Sequence, residues 1–472
     1  TVSRDLVDHL SGLFIYGHPR SQINVQPPPC IPGILGTLLP AIYNPNLCSE
    51  ASGRGVALAE AEAVSLTAEL LGCNPEQAGG VFTFGGTGTL LYALRLGIEK
   101  ALPGSLHSGI TGQPPVVVCS DQAHYAVSTA AAWLGLGLDQ VVTIPTSPNN
   151  EIRTCLLESE LRRLLKEGRR IAAITATMGT TDAFGLDALD QIRELRDQLA
   201  HEFSLDYLPH IHADAVIGWA WSVFREYDFT SNPLQFPDRT LRSLAGTIRR
   251  IRHLHLADSI GVDYHKTGFA PYISSAFISS NAADLKLITR DQSATPYLFQ
   301  SGDYNPGRFT LETSRSGSGP MAALASLRLF GKTGLRSLLG HLVTMAESLR
   351  NRLTAHSAIS VMNPENFGPV TLFRVYPDDV DTFEMPTLEQ TRADYREHLQ
   401  RHNDYNRRLY QLMHTEALQG DGVVISMTDR FRTTEYGQSV VALKSYIMSP
   451  FSDQQYVQAV IDSIERARQQ LR

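Results

Sequence analysis

The chain has 472 residues, 43% hydrophobic and 19% charged, with a formal net charge of -7 at pH 7. That is ordinary globular composition, long enough for two or three domains sharing large cores, and an acidic chain with no long basic run is not a nucleic-acid binder. No apolar run reaches the ~18 residues needed to span a bilayer, and five cysteines without CxxC spacing read as reduced thiols of a cytoplasmic protein with no zinc site.

The N-terminus, "TVSRDLVDHL", is not a signal peptide, and its start at Thr1 points to trimmed residues upstream. Residues 1–55 carry the Pro/Gly punctuation of loops, as in "GHPRSQINVQPPPCIPGILG". Such a segment makes no core of its own and is expected to lie on another surface, that of a second subunit. From Val56, "VALAEAEAVSLTAELLGCNP" has helical apolar spacing, with Gly72 as C-cap and Pro75 beyond it. Four buried strands follow: "PPVVVCS", "QVVTIPT", "IAAITATMGTT" and "HIHADAVIG". Helices such as "ESELRRLLKEG" and "LDALDQIRELRDQLAHEF" lie between them. Strands alternating with helices imply an α/β domain over residues 56–334, its mainly parallel sheet covered on both faces. After "FGKTG" the pattern changes to a long helix, the strands "GPVTLFRVY", "GVVISMTD" and "SVVALKSYIM", and a final helix. Residues 335–472 therefore read as a small α+β domain.

The chain has only six lysines, and Lys100, Lys166 and Lys286 sit in helical stretches with polar neighbours, as solvated charges do. Lys266, in "DSIGVDYHKTGFAP", stands between apolar strand-like runs, where a permanent cation is costly. Burial that lowers its pKa and a working life as a neutral imine would make sense of it. Asp214 closes the strand "HIHAD", where an unpaired carboxylate is expensive. It is either a strand-end cap or core ion pair, or a carboxylate facing a pyridinium nitrogen. In "FTFGGTGTLLYAL", Gly85 to Gly88 precede a helix whose free amides suit a phosphate. His124 follows a strand and opens a helix of small residues, and Thr180 and Thr181 stand at a strand's carboxyl end, where open α/β sheets bind ligands.

Glycine turn, histidine, Gly-Thr-Thr, His-x-Asp-Ala, Asp-Ser and His-Lys, in this order, resemble the group II pyridoxal-phosphate-dependent amino acid decarboxylases. This family includes glutamate, aromatic amino acid, cysteine sulfinate and archaeal tyrosine/aspartate decarboxylases. The resemblance runs from about His18 to about Gly334, and "TLETSRSGSGPMAAL" adds to it. It implies the fold of type I pyridoxal-phosphate enzymes and a homodimer with shared active sites. It further implies that Lys266 carries pyridoxal phosphate, that Asp214 pairs with the pyridine nitrogen, and that His124 stacks on the ring. Thr180 or Thr181 would touch the ring oxygen or the phosphate network, and Gly86, Thr87 and His265 would hold the phosphate. Ser316 to Ser318 would reach a phosphate in the neighbouring subunit. Two positions depart from the family pattern: Val216 replaces an alanine that lies against the ring, and Thr267 follows the lysine where tryptophan is frequent.

The implied reaction is loss of the α-carboxylate of an amino acid as CO2. In the family a tyrosine on a mobile loop often returns the proton, and Tyr297 and Tyr304 are the candidates, with the Gly- and Pro-rich surroundings of Tyr304 favouring it. Arg20 and Gln22 fall in the part that, by resemblance, helps line the pocket. The same motifs also serve pyridoxal-phosphate aldehyde lyases and oxidative deaminases, and a catalytically silent cofactor-binding relative is a third alternative.

Overall fold

The computed structural model describes residues 1–295 and 301–472. The chain divides into two compact units, one formed by Pro29–Glu347 with Asn363–Gly368, the other by Thr1–Pro28, Ser348–Met362 and Pro369–Arg472. Of the N-terminal segment, residues 1–28 group with the C-terminal unit and residues 29–55 with the large one.

The large unit is built on seven strands: β1 (Gly79–Thr83), β2 (Val116–Ser120), β3 (Val141–Ile144), β4 (Ile171–Thr177), β5 (His210–Asp214), β6 (Ser259–Asp263) and β7 (Ser275–Ser279). Their spatial order is β1-β7-β6-β5-β4-β2-β3. Strands β3, β2, β4, β5 and β6 are mutually parallel, and β7 runs antiparallel to both β6 and β1. The four central strands β2, β4, β5 and β6 are buried at every position, which is why they read as continuous apolar runs rather than alternations. The helix Gly86–Ala101 lies across the sheet: Leu90, Leu94 and Ile98 pack with Val117, Cys119 and Ala173, and Tyr92, Ala93 and Leu96 pack with Val81 and Phe277. Gly97 lets it approach closely, since a Cβ there would stand 2.4 Å from the carbonyl oxygen of Ala172. Register pairs Thr177 with Asp214 and Asp214 with Gly261, so the strand carboxyl ends form one edge.

The smaller unit is an antiparallel sheet of β8 (Ile359–Val361), β9 (Val370–Val375), β10 (Ser426–Thr433) and β11 (Ser439–Tyr446), in the order β10-β11-β9-β8. Gln22 is buried here, bonded to Ser445 and taking the Tyr446 amide on its carbonyl, while Arg20 donates to the Gly420 carbonyl at 3.1 Å. The Gln22 side chain therefore serves this unit's own packing, while Arg20 stays exposed. The long helical stretch Ser318–Thr354 breaks at Gly331 (φ 53°), inside the "FGKTG" where the sequence pattern changes. No helix among the described residues is long and apolar enough to cross a membrane.

Candidate active site

Strand β6 ends at Asp263, and one short helical turn, Tyr264–Thr267, carries Lys266 before the chain returns toward β7. Lys266 is thus on a turn between two buried strands. Several bonds fix that turn. The Trp219 indole N–H donates to the Asp263 carbonyl at 3.0 Å, Thr267 Oγ1 donates to the Ile217 carbonyl at 2.9 Å, and the Tyr264 hydroxyl meets Thr67 Oγ1. Thr267, which stands where the family often has tryptophan, is what ties the lysine turn to the segment after Asp214.

The Lys266 side chain is 23% exposed, and its Nζ lies 2.9 Å from Asp263 Oδ2. Burial alone would lower its pKa, as the sequence suggested. The carboxylates of Asp263 and Asp214 outweigh burial, and the net shift is upward. Before any covalent linkage Lys266 is therefore an ion-paired ammonium. Asp263 is the residue sequence reading passed over. The signal was there, since an acid three residues before a lysine on a helical turn faces it.

Asp214 is buried at the end of β5. Burial pushes its carboxyl up to about 6, with Lys266 pulling it down, Asp263 adding to the rise and the Val216 amide donating to it. His124 is half-buried, its ring tilted against Tyr125 at 4.1 Å and its Nδ1 taking the Ala126 amide. Burial and then the Lys266 charge hold it below the ordinary histidine range, which keeps it neutral beside that lysine. His265 is buried between the Ser274 carbonyl, 3.0 Å from Nδ1, and Asp263, 3.5 Å from Nε2.

The glycine turn stands next to this group. Gly85 has φ +106°, a conformation that favours glycine, and Gly86 and Thr87 open the helix Gly86–Ala101. A Cβ on Gly86 would meet Val216 Cγ1 at 3.0 Å and Asp263 Oδ2 at 3.2 Å. Gly86, Val216, Asp263 and Lys266 therefore share one space at the strand ends, with the amide end of the helix open to it.

Thr180, Ser318 and Tyr304 each have a hydrogen-bond partner within this chain. The Thr180 hydroxyl takes the Gly185 amide at 2.8 Å and so closes the turn after β4, with the half-buried Thr181 next to it. Ser318 donates to the Thr37 carbonyl at 3.0 Å within its own chain. Tyr304 is not brought to Lys266: its hydroxyl donates to Glu60 at 3.0 Å, and Glu60 is in turn paired with Arg315 and takes the Phe82 amide. The loop composition around Tyr304 suggested mobility, but a buried ion pair holds its hydroxyl. Tyr297 lies outside the described residues.

A lysine, a carboxylate to face a ring nitrogen, a flanking neutral histidine and an amide-lined glycine cradle form a donor set that fits pyridoxal phosphate. Residues 18–375 match the model of the pyridoxal-dependent decarboxylase conserved domain. The chain belongs to the pyridoxal-dependent decarboxylase family. It is 25% identical over 393 residues to an L-2,4-diaminobutyrate decarboxylase of Acinetobacter baumannii, covering 80% of this chain and 71% of that one. It is 24% identical over 368 residues to an aromatic-L-amino-acid decarboxylase of Bacillus atrophaeus, covering 77% and 68%. Among solved structures, mouse CSAD in apo form superposes with a TM-score of 0.76 at 19% identity, over 96% of this chain and 84% of that one. Catharanthus roseus tryptophan decarboxylase in complex with L-tryptophan gives 0.73 at 18%, over 99% and 88%. The fold is that of the type I pyridoxal-phosphate enzymes.

Proposed function

We propose that this decarboxylase removes the α-carboxylate of an L-amino acid as CO2 at Lys266, giving the amine. The observation that carries the reading is the pairing of Lys266 with Asp263 at 2.9 Å, beside Asp214 and the Gly86 turn at the strand ends. When bound, pyridoxal phosphate supplies an electron sink for the pair left by the departing CO2. Lys266 would hold the cofactor covalently, and Asp214 would hold a proton at its pyridine nitrogen. The amides of Gly86 and Thr87, with His265 alongside, would bind its phosphate, with Thr181 nearby. His124 and Val216 would flank the ring and orient it, since alignment of the breaking bond is the protein's main contribution.

We also read the protein as a cytoplasmic homodimer with shared sites. The helix Ile31–Tyr43 exposes Ile31, Leu35, Leu38 and Ile42 on one chain, an apolar face that calls for a cover. It starts beside the lysine turn, where Cys30 N–H donates to the Phe269 carbonyl at 2.8 Å. All five cysteines are free, in keeping with a reducing compartment.

Incubation with pyridoxal phosphate and a panel of basic, acidic and aromatic L-amino acids, followed by mass spectrometry, tests the activity. A product lighter by CO2 and still carrying its amine supports it. An aldehyde or keto product moves the reading to a lyase or deaminase. Bound cofactor without turnover on any substrate sinks it in favour of a silent relative.

A further inference from the structure

A line of polar side chains lies buried behind Asp214. His210, His212 and Asp214 alternate along β5 and so share one face, and register sets Ser259 beside His212 and Gly261 beside Asp214. At the outer end, Lys100 Nζ is 2.6 Å from Asp284 and 3.2 Å from His210 Nδ1. His210 Nε2 is 2.8 Å from Ser259 Oγ, and the same hydroxyl is 2.9 Å from His212 Nδ1. Both imidazoles are fully buried and pushed down to about 3, by burial first in each; for His210 the Lys100 charge adds to the fall, and the Asp258 carboxylate 4.0 Å from Nδ1 opposes it. They are neutral, and a neutral imidazole has one N–H and one lone pair.

That makes the proton order readable. An ammonium has only donors, so Lys100 donates to His210 Nδ1, and the His210 proton is on Nε2. It donates to Ser259 Oγ, and since the two imidazoles are that hydroxyl's only hydrogen-bond partners among the described residues, its own proton goes to His212 Nδ1. His212 therefore carries its proton on Nε2. This Nε2 is fully buried and has no hydrogen-bond partner among the described residues. It faces Gly261, 3.3 Å from where a Cβ would stand, in the register row of Asp214.

We infer that His212 is a positioning residue for Asp214: the relay Lys100–His210–Ser259 locks its tautomer so that an N–H, not a lone pair, faces the row of that carboxylate. The positive end of the imidazole dipole favours the ionised carboxylate against its own burial. This rests on Asp214 facing the pyridine nitrogen, where an ionised Asp214 keeps the ring protonated.

Two measurements test it. In 15N-histidine-labelled cofactor-free protein, long-range proton–nitrogen correlations should assign the His212 proton to Nε2; a proton on Nδ1 overturns the inference whatever the cofactor does. With 15N-labelled pyridoxal phosphate, the ring-nitrogen shift should show protonation in wild type and its loss in His212→Leu, with cofactor affinity about tenfold weaker. His212→Gln, which keeps a donor, should restore both. An unchanged shift and affinity in His212→Leu reduces His212 to packing. If His212→Leu does not fold, Ser259→Ala, which removes the lock, carries the same expectation, and a protonated ring there overturns the inference. Wild-type protein that binds no cofactor defeats the functional reading and leaves the tautomer result standing.

Discussion

Replacing Asp263 by asparagine changes one charge and almost no volume. The carboxylate is nearly fully buried and holds the Lys266 ammonium at 2.9 Å. A hydrogen bond to a charged group is worth about 1.5–3 kcal/mol net, and every 1.4 kcal/mol is roughly tenfold in an equilibrium. Since Asp263 is the leading reason that the Lys266 pKa stands above its ordinary value in spite of burial, its loss shifts the lysine toward the neutral amine. The pair's contribution to stability is full below the ordinary lysine pKa and is lost as pH rises through the raised folded value; in Asp263→Asn it is absent throughout. Only the neutral amine reacts with an anhydride. Pulse labelling of cofactor-free protein near pH ~8, with the exposed Lys286 as internal standard, should label Lys266 about 10- to 100-fold faster in the variant. Equal or slower labelling, with far-UV dichroism unchanged, would show that Asp263 does not set the state of Lys266.

Asp214→Asn should alter the pH dependence of the cofactor-free protein. Its carboxyl rises from 3.8 to about 6 on folding, so the folded state binds the proton more tightly and wild-type stability falls as pH climbs through that window. The variant should gain roughly 2–3 kcal/mol near neutral pH and nothing near pH ~4, read by urea denaturation through the buried Trp219 and Trp221; a gain that ignores pH refutes it. Arg315→Met strands Glu60 in a fully buried site and should cost about 3–5 kcal/mol, seen as faster hydrogen exchange at the Phe82 amide that Glu60 holds; adding Glu60→Gln should recover much of it, and no recovery would mean that the charge was not the cause. Tyr304→Phe should cost about 0.5–1.5 kcal/mol and leave turnover near wild type, because its hydroxyl serves Glu60. A tenfold slower product formation with unchanged stability would return Tyr304 to the chemistry.

Much of this protein is determined along the chain. The buried strands announce themselves as apolar runs ending in polar residues, and Asp214, Lys266, His124 and the Gly85–Gly86 turn stand out because each is a residue type that is expensive or unnecessary where it sits unless it meets a ligand. Local pattern also marks the helix break at Gly331 and the C-cap at Gly72. Tertiary structure decides the rest. Which unit residues 1–28 join depends on pairings such as Gln22 with Ser445, more than four hundred positions apart, and no periodicity encodes a partner at that distance. The sign of the Lys266 shift follows from two carboxylates brought in by β5 and β6, and the fate of the Tyr304 hydroxyl from Glu60, contributed by a helix some 244 residues earlier. Sequence supplies the ionisable groups; only their folded distances settle which charge is held, and where.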